Sequence, residues 1–91
     1  MNKIFYINLD SREDRKKLCE DQLNTLGWKY ERFPAVNSTN GAIGCAMSHL
    51  QILKKARDNN LPYVMIFEDD FEITDYKLFK TQFKKIVYNN V

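Results

Sequence analysis

The chain has 91 residues, of which 44% are hydrophobic and 29% charged, and it carries a net charge of +2. A chain of this size makes one compact domain that buries roughly 60 to 65% of the surface its unfolded form exposes, and this composition excludes a disordered tail or a membrane-spanning protein. The excess of positive charge is spread thinly apart from Lys77, Lys80, Lys84 and Lys85, so charge gives little support for a nucleic-acid partner.

In chain order, the apolar run from Ile4 to Leu9 is short and rich in β-branched and aromatic residues, the pattern of a strand covered on both faces. It is too short for a signal-peptide core and no small-residue cleavage site follows, which predicts an intracellular, cytoplasmic protein. Ser11-Arg12-Glu13-Asp14 gives Ser-x-x-Asp, the signature of a helix start capped by serine. The helix that follows presents Leu18, Leu23 and Leu26 on one side, and Gly27 ends it. Tyr30 to Val36 reads as a second strand, and Asn37 to Asn40 as an exposed loop.

Asn40 then caps a second helix that runs to about Arg57, with Ile43, Ala46, Met47, Leu50 and Leu53 as its core-facing stripe. Gly41, Ala42, Gly44, Ala46 and Ser48 are small, which lets a backbone or a ligand approach closely. Asn59 to Pro62 makes a turn, Tyr63 to Phe67 a third strand, and Tyr76, Phe79, Phe83 and Ile86 mark a last amphipathic helix. Strand, helix, strand, helix, strand is the pattern of a parallel α/β sheet, because parallel neighbours need long right-handed crossovers. With strand order 2-1-3, a ligand crevice opens where the order reverses, between Leu9 to Arg12 and Glu68 to Asp70. The fold class is thus α/β, one domain over residues 1–91.

Glu68, Asp69 and Asp70 directly follow a buried strand, and three carboxylates so placed repel unless a cation or water neutralises them. Their hard oxygens suit magnesium, manganese or calcium; the plainer alternative is a solvated turn. Arg12 and Arg15 flank the first helix start, where free amides and the helix dipole favour an anion such as a diphosphate, although surface pairing with Glu13, Asp14 or Asp21 would also occupy them. Cys19 and Cys45 have no zinc-site spacing and read as buried thiols. His49, one turn after Cys45 and next to Ser48, invites a metal or nucleophile reading. It is set aside, because a helix-borne Cys and His without a further soft ligand do not close a zinc site and no buried acid orients the ring, which leaves Ser48 and His49 as local hydrogen-bonding groups that hold the acidic loop or a nucleotide.

Four segments in order carry a more specific likeness: Tyr6 to Arg15, Phe33 to Val36, Gly41 to His49, and Ile66 to Asp70. Together they resemble the amino-terminal part of the family 25 glycosyltransferases, the lipopolysaccharide and collagen galactosyltransferases. The resemblance spans Ile4 to about Phe71. It implies a minimal GT-A fold, a Rossmann-like three-layer sandwich with a short, mostly parallel sheet. It further implies transfer of galactose or glucose from a UDP-sugar with inversion, to a carbohydrate, lipid-linked glycan or hydroxylysine-type acceptor. Glu68-Asp69-Asp70 matches the family's acidic signature, so Asp70 would hold manganese or magnesium, with Glu68 and Asp69 at the metal, a water on it, or the ribose. Asn8, Leu9 and Asp10 would contact uridine, Arg12 or Arg15 the diphosphate, and Gly41, Gly44, Ser48 and His49 would shape the donor pocket. The family continues into segments that hold the acceptor site and catalytic base, for which this chain offers only Glu72 or Asp75. The readings are therefore a minimal transferase, self-associated as a homodimer because a three-stranded sheet has open edges, or a UDP-sugar-binding module that needs a partner.

Overall fold

A computed structural model describes residues 3–80. The elements follow as β1 (Ile4–Asn8), α1 (Glu13–Leu26), β2 (Glu31–Pro34), α2 (Gly41–Asp58) and β3 (Met65–Glu68). The three strands form one sheet in the order β2-β1-β3, and both pairings are parallel. Register sets Tyr6 opposite Arg32 and Phe67, and Ile7 opposite Phe33 and Glu68. The α/β class, the parallel pairing and the strand order are those the sequence predicts. Residues 76–80 are helical; Phe83, Ile86, Lys84 and Lys85 lie outside the described residues. Among the described residues no helix is long and apolar enough to cross a membrane.

Successive side chains of β1 point to opposite faces, and both faces are covered, since residues 5–8 are all buried. Tyr6 meets α1 through Cys19, Leu23 and Leu26, a core extended by Trp28, Tyr30, Phe67, Phe71 and Phe79. Burying a side chain such as Leu23 stabilises by about 1.5 to 3 kcal/mol relative to exposure. Phe5 and Ile7 meet α2 on the other face through Ile52, with Phe33, Val64 and Ile66 around them. One helix therefore covers each face, as right-handed crossovers to opposite sides of β1 require.

Three local expectations are corrected. Ser11 does not cap α1. The Arg12 amide instead donates to the Leu9 carbonyl, closing a turn that takes up Ser11 and leaves Arg12 at the N-cap with no side-chain cap bond. Within α1 the buried side chains are Cys19, Leu23 and Leu26, while Leu18 is exposed. In α2 the predicted stripe faces outward: Ile43, Ala46, Met47, Leu50 and Leu53 are exposed, and the buried residues are Gly44, Ser48, Ile52 and Ala56. Small residues at i, i+4 allow the helix to lie close to the chain beneath it. A Cβ on Gly44 would stand only 2.7 Å from the Val36 carbonyl oxygen, so a larger residue there would clash with backbone.

Two caps do follow the sequence. Gly27 ends α1 in the left-handed conformation (φ 73°), and the Asn40 side-chain oxygen accepts from the amides of Ala42 and Ile43, satisfying donors that the first turn of α2 leaves unpaired.

Candidate functional site

The strand order reverses between β1 and β3, and at their carboxyl ends lies a cleft of about 270 Å³. Leu9 after β1, Gly41 and Cys45 on α2, Arg15 on α1, Glu68 at the end of β3, and Asp69 and Asp70 after it all line it. Position follows from the fold: each parallel strand delivers the residue after it to the same end of the sheet, and α2 starts at that end too.

The acidic turn is held from within the protein. Asn8, only 2% exposed, donates its amide hydrogens to Asp69 Oδ2 (2.8 Å) and to the Arg12 carbonyl (3.1 Å). Arg15 Nη1 lies 3.4 Å from Asp69 Oδ1, whose side chain is 13% exposed. Asp69 is thus an anchor, turned inward by one amide and one guanidinium. Glu68 turns toward α2, where Cys45 Sγ donates to its Oε1 (2.7 Å) and His49 Nε2 stands 3.6 Å from the same oxygen. Both partners favour the ionised carboxylate, and the thiol bond foremost holds the Glu68 pKa below its ordinary value; the same bond raises that of Cys45. Two of the three carboxylates are therefore engaged by side chains of the chain itself, Asp69 by an amide and a guanidinium and Glu68 by a thiol and an imidazole. Asp70 is exposed, and no hydrogen bond or ion pair ties it to another described residue.

Residues singled out in the sequence divide into those at the cleft and those behind or beside it. Leu9, Arg15, Gly41, Glu68, Asp69 and Asp70 come together. Gly44 and Ser48 lie behind the wall, where Ser48 Oγ accepts from the Val36 amide and donates to the Gly44 carbonyl, both at 2.9 Å. Asp10 is paired with Arg32 (2.6 Å), and Arg12 with Asp14 (3.0 Å), whose carboxyl that hydrogen bond holds down at about 2. Glu72 is exposed and away from the cleft lining. Asp75 begins the helical turn after it, its carboxylate accepting from the Leu78 amide (2.9 Å). Cys19 is buried as the sequence predicts, but Cys45 is partly exposed at the cleft.

The Glycosyltransferase family 25 (LPS biosynthesis protein) family model matches residues 37–90, more than half of the chain and including both α2 and the acidic turn. The chain belongs to glycosyltransferase family 25. It is 44% identical over 56 residues to a putative glycosyltransferase of Haemophilus influenzae, covering 62% of this chain and 20% of that protein. It is 30% identical over 112 aligned positions to procollagen galactosyltransferase 2 of Mus musculus, covering 92% of this chain and 17% of that one. A glycosyltransferase 25 family member of Drosophila pseudoobscura pseudoobscura is 28% identical over 104 positions, 84% of this chain and 17% of the relative. The chain spans about a fifth of the length of these relatives.

Two residues of this family 25 domain that the sequence reading passed over also shape the site. Arg32, opposite Tyr6 in register, donates from Nε to Asn8 Oδ1 and from Nη2 to the Asn8 carbonyl, both at 3.0 Å, and so completes the shell around Asn8. Gln22 on α1 donates to the Phe71 carbonyl (3.0 Å) and accepts from the Ile73 amide (2.7 Å), pinning the chain that leaves the acidic turn. Only the alternation of β2, which puts Arg32 on the α1 face beside Asn8, foreshadows the first; nothing foreshadows the second.

Proposed function

We propose that this domain binds the donor of a metal-dependent glycosyltransferase that moves galactose or glucose from a UDP-sugar to an acceptor hydroxyl with inversion. The observation that carries the reading is the state of the acidic turn: Asp69 is consumed by Asn8 and Arg15, which leaves Asp70 exposed at a cleft that Arg15 also lines. A manganese or magnesium ion fits the donor set, because Asp70 and Glu68 offer hard carboxylate oxygens at the cleft wall. Bound there, the ion would supply charge to the departing diphosphate. The chain's own residues do the rest. Arg15 offers positive charge to the diphosphate, Leu9 gives an apolar edge for the base, and Gly41 has open space where a Cβ would stand, so a ligand can approach the backbone.

The reading extends to self-association. Among the described residues β2 and β3 each pair with β1 alone, so each has an open edge, and such edges recruit further strands. Release of UDP from a panel of UDP-sugars, with manganese present, tests the transferase. Asp70→Ala is expected to lower the rate by about 100-fold or more, the usual scale for a lost electrostatic contact to developing charge; equal release by the variant would refute the assignment.

A second reading is favoured by the positions of Glu72 and Asp75, the first away from the cleft lining and the second engaged as a cap. An inverting transfer needs a base within reach of the acceptor hydroxyl. If neither provides it, the domain binds UDP-sugar and a partner completes the site. Binding of UDP without turnover would select this reading.

A further inference from the structure

Cys45 and His49 leave α2 one turn apart, so both side chains stand on one face of the helix. That face meets the end of β3. Cys45 Sγ lies 2.7 Å from Glu68 Oε1, His49 Nε2 lies 3.6 Å from it, and all three ligand atoms fall within 4.8 Å of one another. Among the described residues this is the one such grouping of three histidine, cysteine or acidic side chains. Asp70 is not in it.

The chemistry of the set differs from that of two carboxylates. A thiolate, an imidazole nitrogen and one carboxylate oxygen are the ligands of zinc and its borderline-soft neighbours, and a thiolate selects against manganese or magnesium. Zinc bonds of about 2.0 to 2.3 Å place the ligand atoms of a tetrahedral ion roughly 3.5 Å apart. The observed separations bracket that figure, so shifts of roughly 1 Å at the side-chain tips would close the shell around an ion. The helix that carries both ligands is held close to the chain beneath it: Ser48, on its buried face, accepts from the Val36 amide and donates to the Gly44 carbonyl, and Gly44 lies against the Val36 carbonyl.

We propose that Cys45, His49 and Glu68 form a zinc-class divalent site, separate in ligand type from the hard-cation role given to Asp70. Three protein ligands leave one tetrahedral position open, and because Cys45 and Glu68 line the cleft, that position faces it. Binding displaces one proton, the one Cys45 donates to Glu68, while His49 contributes the lone pair of its neutral Nε2. Glu68 is the carboxylate shared with the donor-site reading, so zinc at this site withdraws it from that role. Occupancy by zinc itself does not rest on that reading.

The test is titration of the reduced, purified chain with cobalt(II) as the spectroscopic stand-in, followed by zinc. The expected result is one equivalent of tetrahedral cobalt with a thiolate-to-cobalt charge-transfer band, erased by zinc. Cys45→Ser should remove that band, and His49→Gln should weaken cobalt binding at least about tenfold. Asp70→Ala should leave the spectrum intact, which separates this site from the donor-site proposal. Circular dichroism checks that each variant folds, and protection of Cys45 from alkylation by zinc reports the site in the unaltered chain. An octahedral spectrum without charge transfer, a band that survives Cys45→Ser, or alkylation of Cys45 unaffected by zinc would each overturn the proposal.

Discussion

Asn8 holds more of the site than any other single side chain. Its amide joins Asp69, the Arg12 carbonyl and Arg32 in a setting nearly closed to water, so removing it takes one hydrogen bond from each of three part-buried groups at once. Asn8→Ala is expected to cost about 2 to 3 kcal/mol, the scale of lost hydrogen bonds to charged groups, read as a lower urea midpoint. A role confined to touching a ligand would leave the midpoint unchanged. Cys19 supplies a pH prediction. Burial foremost, with the charges of Asp69 and Glu20, pushes its thiol from the ordinary 9.0 up to about 12, and burial with the bond to Glu20 also raises Tyr6. Both groups are acids whose folded pKa exceeds the unfolded one. The contribution of Cys19 is therefore complete below pH 9 and is lost as pH rises toward 12, while that of Tyr6 is complete below pH 10 and falls above it. Urea midpoints should fall across that window, and Cys19→Ala should flatten the Cys19 share of the slope. At this scale the sequence placed Glu68, Asp69 and Asp70 near the start of α1, because they follow a strand and the helix opens at the same end of the sheet; it offered Arg12 and Arg15 alike, and the structure brings Arg15 to the cleft and pairs Arg12 with Asp14. The sequence could not show that Asp69 faces inward, since that depends on Asn8, 61 positions away along the chain.

Between elements, α2 is where pattern and packing part. Hydrophobicity selects Ile43, Met47, Leu50 and Leu53, but the face that meets the sheet is Gly44, Ser48, Ile52 and Ala56, because this helix lies too close to the chain beneath for large side chains at its start. The two faces make opposite predictions. Ile52→Ala, in the core with Phe5 and Ile7, is expected to cost about 2 to 5 kcal/mol. Leu53→Lys, at a position 51% exposed, should stay within about 0.5 kcal/mol at concentrations where the chain is monomeric. Denaturant titration of the pair checks both, and a larger loss for Leu53→Lys than for Ile52→Ala would place the outer stripe in the core after all. The strands and both helices were legible because their apolar runs and the Gly27 and Asn40 caps are local signals. The serine cap of α1 was misread because the turn from Leu9 to Arg12 competes for the same residues.

For the molecule as a whole, the rule that parallel crossovers share one hand leaves few arrangements for strand, helix, strand, helix, strand. Among them the order β2-β1-β3 puts one helix on each face and opens the cleft where the order reverses, which is why that arrangement and its cleft could be expected from the sequence. Oligomeric state could not, since it depends on surfaces rather than on connection rules. The proposed self-association predicts a dimeric mass in light scattering at micromolar concentration, and a monomeric mass there would count against it. Activity carries the same ambiguity, because the chain spans only about a fifth of its relatives. Binding separates the donor site from whatever completes it. The most direct measurement is therefore calorimetric titration of UDP into the purified chain with manganese, for the unaltered chain and for Asp70→Ala. Manganese-dependent binding that weakens at least about tenfold in the variant, the scale for disturbing a metal shell, is the predicted result. Absence of UDP binding by the folded chain, or binding indifferent to both manganese and Asp70→Ala, would contradict the account.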